Sequence, residues 1–300
     1  MKKIISFAIM LLFATTLLTS AQDLKPYILG AESTTDINQT VNKLKSNLKA
    51  KGFKVVGEYT PAKDKNRRVV VVTSDNLLAA VKKFGGLRGF AAAIRLAVTK
   101  EKSKVLVSYI NPKYWGNAYF QDDFDKVEGT YKKIASALKK SMSGLGTLKN
   151  MPFGSEDGIE AEDLRDYHYM IMMPYFEDVN ELKTFKSHKE AVNTIEKNLK
   201  SSKIMKKVYR IDIPGTDLTL YGIGLFGKEG ESYFMPRIDF GHPKHTAFLP
   251  YELLVKGKEV VMLHGKYRIA ISFPDLSMGT FMKISGTPGD IEDMFELLTK

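Results

Sequence analysis

One helix pattern occurs twice in this chain, and the repeat limits the folds open to it. Thr40 to Leu48 has the sequence TVNKLKSNL, and Ala191 to Leu199, 151 positions later, has AVNTIEKNL. The two valines, both pairs of asparagines and the final leucines are identical, and a Leu/Ile exchange keeps a further position apolar. Because apolar residues recur at helical spacing, each copy predicts an amphipathic helix. A duplicated unit therefore organises the chain.

The segments around the two helices extend the repeat. Apolar, strand-like runs precede the helices at Tyr27–Ala31 and Tyr167–Met173, and others follow them at Lys54–Tyr59 and Lys207–Ile213. Each half also ends with strands, a proline-containing turn and a helix. We therefore predict an α+β fold built from two homologous units. Further strands are predicted at Arg68–Thr73, Ala91–Val98, Lys104–Ile110, Leu218–Phe226, Glu252–Lys256, Val260–Leu263 and Tyr267–Phe273.

The first 21 residues have the features of a secretory signal peptide. Lys2 and Lys3 precede an apolar run from Ile4 to Leu18, and small side chains follow at Thr19 to Ala21. The run is short for a transmembrane anchor, so we expect cleavage near Ala21, a periplasmic or secreted protein and no transmembrane segment. The glycines and acidic residues of 144–166 predict a linker. The first repeat is then 22–143 and the second is 167–300.

Charge distribution limits the partners of the chain more than its formal net charge of +11 does. Lysines cluster on the predicted helices opposite the apolar stripe, as they do on solvated helix faces. They are not interleaved with aromatic residues as in a nucleic-acid-binding surface, so we expect no nucleic-acid partner. An exposed sheet edge would allow a homodimer. Since the chain has no cysteine, it has neither disulfides nor a thiol nucleophile.

Three segments resemble a known family. The helix and strand over Leu44–Glu58 (LKSNLKAKGFKVVGE), the turn Gly241–Lys244 (GHPK) and the paired strands over Leu249–Ser272 are similar to the domain-of-unknown-function family 302. Both halves look like copies of that domain, although the first departs from the pattern at Gly85–Phe90 (GGLRGF). The resemblance implies an antiparallel sheet with packed helices in each unit. It implies no established activity.

Aromatic residues at the end of one predicted strand form the candidate small-molecule site. Asn111–Tyr119 (NPKYWGNAY) contains the only tryptophan and follows the strand Lys104–Ile110. With two upstream arginines, the segment offers an apolar platform, amide hydrogen bonds and a cation. Packing of aromatic turns onto a sheet is the alternative, and no match to these aromatics is found in the second half at Phe273–Leu276. The predicted ligand-binding residues are Arg88, Arg95, Asn111, Tyr114, Trp115, Asn117 and Tyr119.

Soft metal ligands provide an alternative function. His168, Met170 and Met172 alternate along a predicted strand, so they share one face and would suit copper, with His242 and His245 as further candidate ligands. Burial of an apolar strand explains the methionines equally well. His242 and His245 alone lack the third or fourth ligand of a zinc site, so we predict no metal residues.

Motifs for catalysis or cofactors are weak. Gly222–Gly227 (GIGLFG) matches the dinucleotide fingerprint in letters, but turn residues follow it where a phosphate-binding helix is required. There is no Gly-x-Ser-x-Gly elbow, and the paired carboxylates lie in segments predicted to be solvated. We therefore predict no catalytic residues and no cofactor. The sequence favours an exported, non-catalytic module that binds an unknown small molecule or protein, ahead of a copper protein and then a hydrolase.

Overall fold

The computed structural model describes residues 23–300, so the predicted signal peptide lies outside the described residues. Within them, no helix is long and apolar enough to cross a membrane. The strands are β1 Tyr27–Ser33, β2 Lys54–Tyr59, β3 Arg67–Thr73, β4 Ile94–Glu101, β5 Lys104–Ile110, β6 Thr147–Phe153, β7 Val179–Thr184, β8 Met205–Asp212, β9 Leu218–Leu225, β10 Tyr251–Lys256 and β11 Glu259–Leu263. The helices are α1 Ile37–Ala50, α2 Asp75–Phe84, α3 Pro112–Phe120, α4 Glu128–Ser141, α5 Ala161–Arg165, α6 His188–Ser201, α7 Glu231–Ile238, α8 Gly265–Ser272, α9 Met278–Phe281 and α10 Thr287–Glu296.

Two antiparallel sheets with matching strand order form the framework, which confirms the α+β class. The first sheet has the order β2-β3-β4-β5-β1-β6, and the second has β8-β9-β10-β11-β7. Helix α6 and strands β8 and β9 each begin 151 residues after α1, β2 and β3. The first five strands of one sheet therefore correspond, in order, to the five strands of the other. Only β6 has no counterpart among the described residues.

Two identical asparagines of the repeated helix, Asn47 and Asn198, make equivalent hydrogen bonds. Asn47 in α1 donates from Nδ2 to the carbonyl oxygens of Ser141 and Ser143, at 2.9 and 2.8 Å. Asn198 in α6 donates in the same way to Leu298 and Lys300, at 3.0 and 2.8 Å. Each asparagine thus satisfies carbonyls left free where the last helix of its own half ends. This requirement explains why asparagine occupies both positions.

Side chains of β10 divide between two cores. Leu253 and Val255 pack in a core formed by the second half alone, together with residues of α6 and α10. Leu254 points the other way, into a core shared with the strands and helices of the first half. Because neighbouring residues of a strand point to opposite faces, the second sheet has one face under its own helices and one against the first half.

Equivalent positions meet each other where the two halves pack. Gly57 of β2 corresponds to Val208 of β8, and a Cβ at Gly57 would lie 2.6 Å from the carbonyl oxygen of Val208. Arg95 and Glu252 are the second residues of β4 and β10, and they form a fully buried ion pair at 2.7 Å. Contact between equivalent residues is the geometry of a two-fold axis. The halves therefore pack as the two subunits of a symmetric dimer would.

The strand that precedes α6 begins later than the sequence predicts. Tyr167–Met173 is not a strand but part of an irregular loop, and Val179–Thr184 forms the strand before α6 instead. Apolar composition alone therefore gives the wrong prediction here. Tyr267–Phe273 is also not a strand, because Gly265–Ser272 forms α8, with His264 Nδ1 accepting from the backbone N–H of Lys266 as an N-cap.

The segment 144–166 is not a free connection between the halves. Thr147–Phe153 forms β6, which pairs antiparallel with β1, and Ala161–Arg165 forms α5. Six of the seven β6 residues, from Thr147 to Pro152, are exposed, so no alternating apolar pattern marks the strand in the sequence. It is held by its ladder to β1, and a pattern of hydrophobicity does not report such pairing.

Glu231 at the start of α7 joins the two halves. Its carboxylate is fully buried and accepts from the backbone N–H groups of Ala62 at 2.8 Å and Leu225 at 3.2 Å, and from Tyr59 Oη at 3.0 Å. Burial raises the pKa of Glu231 to about 7, and the three donated bonds, which favour the carboxylate, offset this only in part.

The raised pKa predicts a pH-dependent stability. Glu231 binds its proton more tightly in the folded state, so its stabilising effect is complete below about pH 4.5 and is lost as the pH rises through about 7. This corresponds to about 3 kcal/mol of unfolding free energy. In urea titrations from pH 5 to pH 8, we expect the unfolding free energy of the unchanged chain to decline and that of Glu231→Gln to lack this decline. Parallel pH profiles for the two proteins would contradict the assignment.

Candidate functional site

A cleft of about 490 Å³ opens where the two halves meet. One wall comes from the end of β6, at Phe153 and Ser155, and the other from the segments that follow α7 and α8. The segment after α7, Asp239–His245, has no equivalent of its length in the first half, where α2 ends at Phe84 and the 3₁₀ segment Gly86–Ala92 follows almost at once. The cleft therefore belongs to the second half and to β6.

Stacked rings form the floor of the cleft. The His245 imidazole lies on the ring of Tyr27, with centroids 5.1 Å apart and planes 27° apart. Phe273 and Phe153 flank the imidazole at centroid distances of 4.8 and 5.7 Å. Tyr27 is positioned by its own hydroxyl, which donates to the carbonyl oxygen of Ser272 at 3.1 Å. A flat apolar group fits such a surface, because aromatic faces favour stacked contacts.

His245 supplies the polar group of that floor. Burial lowers the pKa of His245, so the imidazole is neutral at neutral pH. Its backbone N–H donates to Asp239 Oδ1 at 2.7 Å, while its buried Nδ1 has no hydrogen-bond partner within residues 23–300. A neutral imidazole has one nitrogen donor and one acceptor. Its side chain lines the cleft with part of that capacity unused.

Charged residues at the rim mainly hold the walls in place. Asp275 accepts from Ser155 Oγ at 2.9 Å and from the backbone N–H of Glu156 at 2.6 Å. Lys25 Nζ donates to the carbonyl oxygen of Glu156 at 2.6 Å. These contacts tie the chain after β6 to the segment after α8. The walls of the cleft are thus preformed, as in most small-molecule sites.

Glu101 of β4 anchors the wall segment Asp239–His245. Its carboxylate accepts from the backbone N–H of Lys244 at 3.0 Å and pairs with His242 Nδ1. Arg67 of β3 pairs with Asp239 at the other end of the segment. Between these anchors, Phe240 stands at the mouth of the cleft with 67% of its surface exposed.

Most of the predicted ligand-binding residues lie in the interior. Asn111–Tyr119 is not a turn: Pro112–Phe120 forms the buried helix α3, and Asn111 caps it by accepting from the backbone N–H of Lys113. None of the seven residues lines the cleft described above. Buried are Arg95, Asn111, Tyr114, Trp115, Asn117 and Tyr119, whereas Arg88 lies near the surface 3.7 Å from Asp123.

Arg95 and Trp115 do come together, at the contact between the halves. The Arg95 guanidinium lies 5.1 Å from the Trp115 ring centroid, and the Arg268 guanidinium lies 5.2 Å from it. Arg95 donates to Glu252 and, through Nε, to the carbonyl oxygen of Ala247 at 3.0 Å. Tyr119 stacks on Phe176 at 5.2 Å. Buried cations shared between an aromatic ring and one carboxylate form a packed structural cluster.

The aromatic segment does have a counterpart in the second half. Lys113-Tyr114-Trp115 in α3 corresponds to Lys266-Tyr267-Arg268 in α8, because both triplets follow a capping residue at the end of a strand. Phe273–Leu276 follows α8 and is therefore not the counterpart of the aromatic segment. The Lys-Tyr pair common to both segments is the sequence signal that marks α8.

Because Tyr167–Met173 is not a strand, His168, Met170 and Met172 do not share one strand face as the copper alternative requires. His168 lies in the loop, its ring 4.4 Å from that of Tyr175, and Met170 and Met172 are exposed. His242 and His245 face different partners, Glu101 and Tyr27. Across residues 23–300, no three His, Asp or Glu side chains are grouped to hold a metal ion.

The glycine-rich segment Gly222–Gly227, at the end of β9, has no free phosphate-binding site. Contrary to prediction, a helix does follow it, since α7 begins at Glu231. The Glu231 carboxylate accepts there from the Leu225 N–H, so the chain places its own anion at the helix N-terminus, where a phosphate would bind. Gly222 packs against Tyr209, whose Cε1 would lie 2.0 Å from an added Cβ.

The chain shows little similarity to known proteins. No family model matches the sequence, and no curated protein matches it. Among solved structures, the chain is similar to an uncharacterized conserved DUF302 protein, of the domain-of-unknown-function family 302, from Bacillus stearothermophilus. The two are 16% identical with a TM-score of 0.32, and the match covers 38% of this chain and 97% of the other.

Proposed function

We propose that the protein is an exported, non-catalytic binding protein whose cleft takes a small molecule with a flat apolar part. The observation that carries the proposal is the neutral His245 imidazole, which lines the cleft and is stacked in its aromatic floor. A ligand that combines a ring with a hydroxyl or N–H group would pack on this floor and hydrogen-bond to the imidazole. The cleft takes the place of the predicted Asn111–Tyr119 platform, whose residues are buried except for Lys113.

We also infer that the two halves are tandem copies of the unit that the sequence resembles. The matching order of five strands supports this, as do the equivalent contacts of Asn47 and Asn198. Because the cleft depends on the long segment Asp239–His245 and on β6, binding is confined to one side of the duplicated fold. A solved structure of a closer single-copy relative should then superpose on each half separately, and agreement with one half only would count against the inference.

Two matched probes test the ligand class. 2-Naphthol and 2-methoxynaphthalene share a bicyclic ring, and only the first has a hydroxyl donor. By ligand-observed NMR, we expect the protein to bind both but to prefer 2-naphthol by about fivefold, since one added hydrogen bond contributes about 1 kcal/mol. His245→Phe retains the stacked ring and should abolish the preference while leaving 2-methoxynaphthalene bound.

A second pair of variants locates the binding. Phe240→Ser removes an exposed ring at the cleft mouth and should weaken both probes, whereas Leu297→Ser removes an exposed leucine elsewhere and should weaken neither. Both substitutions are at exposed positions, so the fold tolerates them. Absence of binding at millimolar probe concentration, or equal binding by the Phe240→Ser protein, would refute a cleft site.

A further inference from the structure

The loop Tyr167–Phe176, called here the Met loop, exposes apolar side chains to solvent. Met170, Ile171 and Met172 are 47, 86 and 98% exposed. Single exposed apolar residues are normal on protein surfaces, but three in succession form a continuous patch of the kind found at binding surfaces. Methionine suits such surfaces, because its flexible side chain adapts to different partners.

Both ends of the Met loop are fixed to the core. Phe176 is buried and stacks on Tyr119, with planes 23° apart, and Tyr167 lies against Tyr267 at a centroid distance of 6.2 Å. Tyr169 Oη donates to the carbonyl oxygen of Leu276 at 3.4 Å. These contacts hold both ends of the loop in place, so its apolar tip has a fixed position on the surface.

A small, largely apolar groove of about 20 Å³ lies beside the tip. It is lined by Tyr169, Met173, Ile269, Ala270, Phe273, Leu276, Met278 and Phe281, with Lys266 as its one charged residue. Met278 and Met282 extend the exposed apolar surface beyond the groove. The tip and the groove together offer a strip that could accept the apolar face of a helix.

The charge around this strip is opposite to that of the whole chain. Residues 156–178 contain eight acidic residues and no lysine, whereas the formal charge of the chain is +11. Their one basic residue, Arg165, is paired with Asp125 at 2.6 Å. All eight acidic residues of the segment are exposed: Glu156, Asp157, Glu160, Glu162, Asp163, Asp166, Glu177 and Asp178.

We propose that the Met loop and its groove bind a basic amphipathic segment of a partner protein. The apolar face of that segment would cover Ile171, Met172 and the groove, and its lysines or arginines would meet the acidic residues around them. The same carboxylates would repel an anionic membrane or a nucleic acid. This proposal is independent of the ligand cleft and goes beyond it.

Two model peptides test the chemistry of the partner. One is an amphipathic helix of leucine and lysine, about 14 residues long, and the other has glutamate in place of every lysine but the same apolar face. We expect fluorescence anisotropy to show binding of the lysine peptide by the full chain, weakening with salt, and no binding of the glutamate peptide. Equal binding of both peptides, or of neither, would overturn the proposal.

Variants of the loop tip locate the surface without touching the ligand cleft. Ile171→Ser with Met172→Ser should weaken the lysine peptide by about tenfold or more, because two large apolar contacts are lost. Leu297→Ser, at a side chain that is 46% exposed elsewhere, should leave binding unchanged. Binding that survives the double change would overturn the proposal. Two other results would also overturn the proposal: self-association of the chain, or its attachment to phosphatidylglycerol vesicles, if the double change abolishes either one. The surface would then bind a second copy or a membrane and not a basic segment.

Discussion

Replacing Glu252 with glutamine should lower the free energy of unfolding by about 3–5 kcal/mol, the usual cost of breaking a buried ion pair. Glu252 is the carboxylate among Arg95 at 2.7 Å, Arg268 at 3.4 Å and the Tyr209 hydroxyl at 2.6 Å. Glutamine has nearly the same shape but no charge. Two guanidinium groups would then remain buried with no anion beside them, and neither can lose its proton.

Urea unfolding followed by circular dichroism measures this effect. Glu259→Gln is the matched control, because Glu259 pairs with Lys256 at 2.7 Å on the surface, where an ion pair contributes about 0–1 kcal/mol. The triple change Arg95→Met, Glu252→Leu and Arg268→Met should recover much of the loss, since well-packed apolar groups can replace a buried ionic cluster. If Glu252→Gln cost no more than Glu259→Gln, the cluster would have to be hydrated.

Trp115→Ala should also be strongly destabilising, by about 3–5 kcal/mol. The indole is 3% exposed, and its Nε1 donates to the carbonyl oxygen of Pro26 at 2.9 Å. Its ring also lies against the guanidiniums of Arg95 and Arg268, so the loss of the ring removes cation–π contacts from both halves. A cavity would remain there, while the Pro26 carbonyl would keep its hydrogen bond from the Asn111 backbone N–H at 2.8 Å.

The tryptophan is itself the reporter for this experiment. It is the only one in the chain, so the native emission should be blue-shifted and should move to longer wavelength on unfolding. Trp115→Phe keeps a ring between the arginines and should cost much less than Trp115→Ala. A ligand-binding role for Trp115 predicts the reverse: Trp115→Ala would leave stability nearly unchanged and would lower affinity for a ligand.

The repeated helix and its following strands are predictable because their signals are local. In α1, Asp36 accepts from the backbone N–H groups of Asn38 and Gln39 as an N-cap, and Val41, Leu44 and Leu48 are buried as their spacing requires. The same spacing places Val192, Ile195 and Leu199 in the second core. Caps and helical periods are set by neighbouring residues, so the sequence alone contains them.

The cleft and the aromatic helix depend on contacts between distant residues, which no local pattern reports. Tyr114 donates to the carbonyl oxygen of Ile271, 157 residues away, at 2.8 Å. α3 is buried except at Lys113, because α4 packs on it within the first half and α8 contacts it from the second. Its residues therefore resemble an exposed aromatic platform in sequence although they lie in the interior. The Met loop shows the opposite case: composition favours burial of Tyr167–Met173, and the fold leaves its centre exposed.

Opposite charges at equivalent strand positions make the two halves different from each other where they meet. In a homodimer both subunits carry the same residue, so position 95 would meet a copy of itself across the axis, arginine against arginine or glutamate against glutamate. Within one chain the two positions are encoded separately, so each can carry its own charge. Two copies of either half would therefore place like charges together at this point, whereas the two unlike halves form the Arg95–Glu252 ion pair.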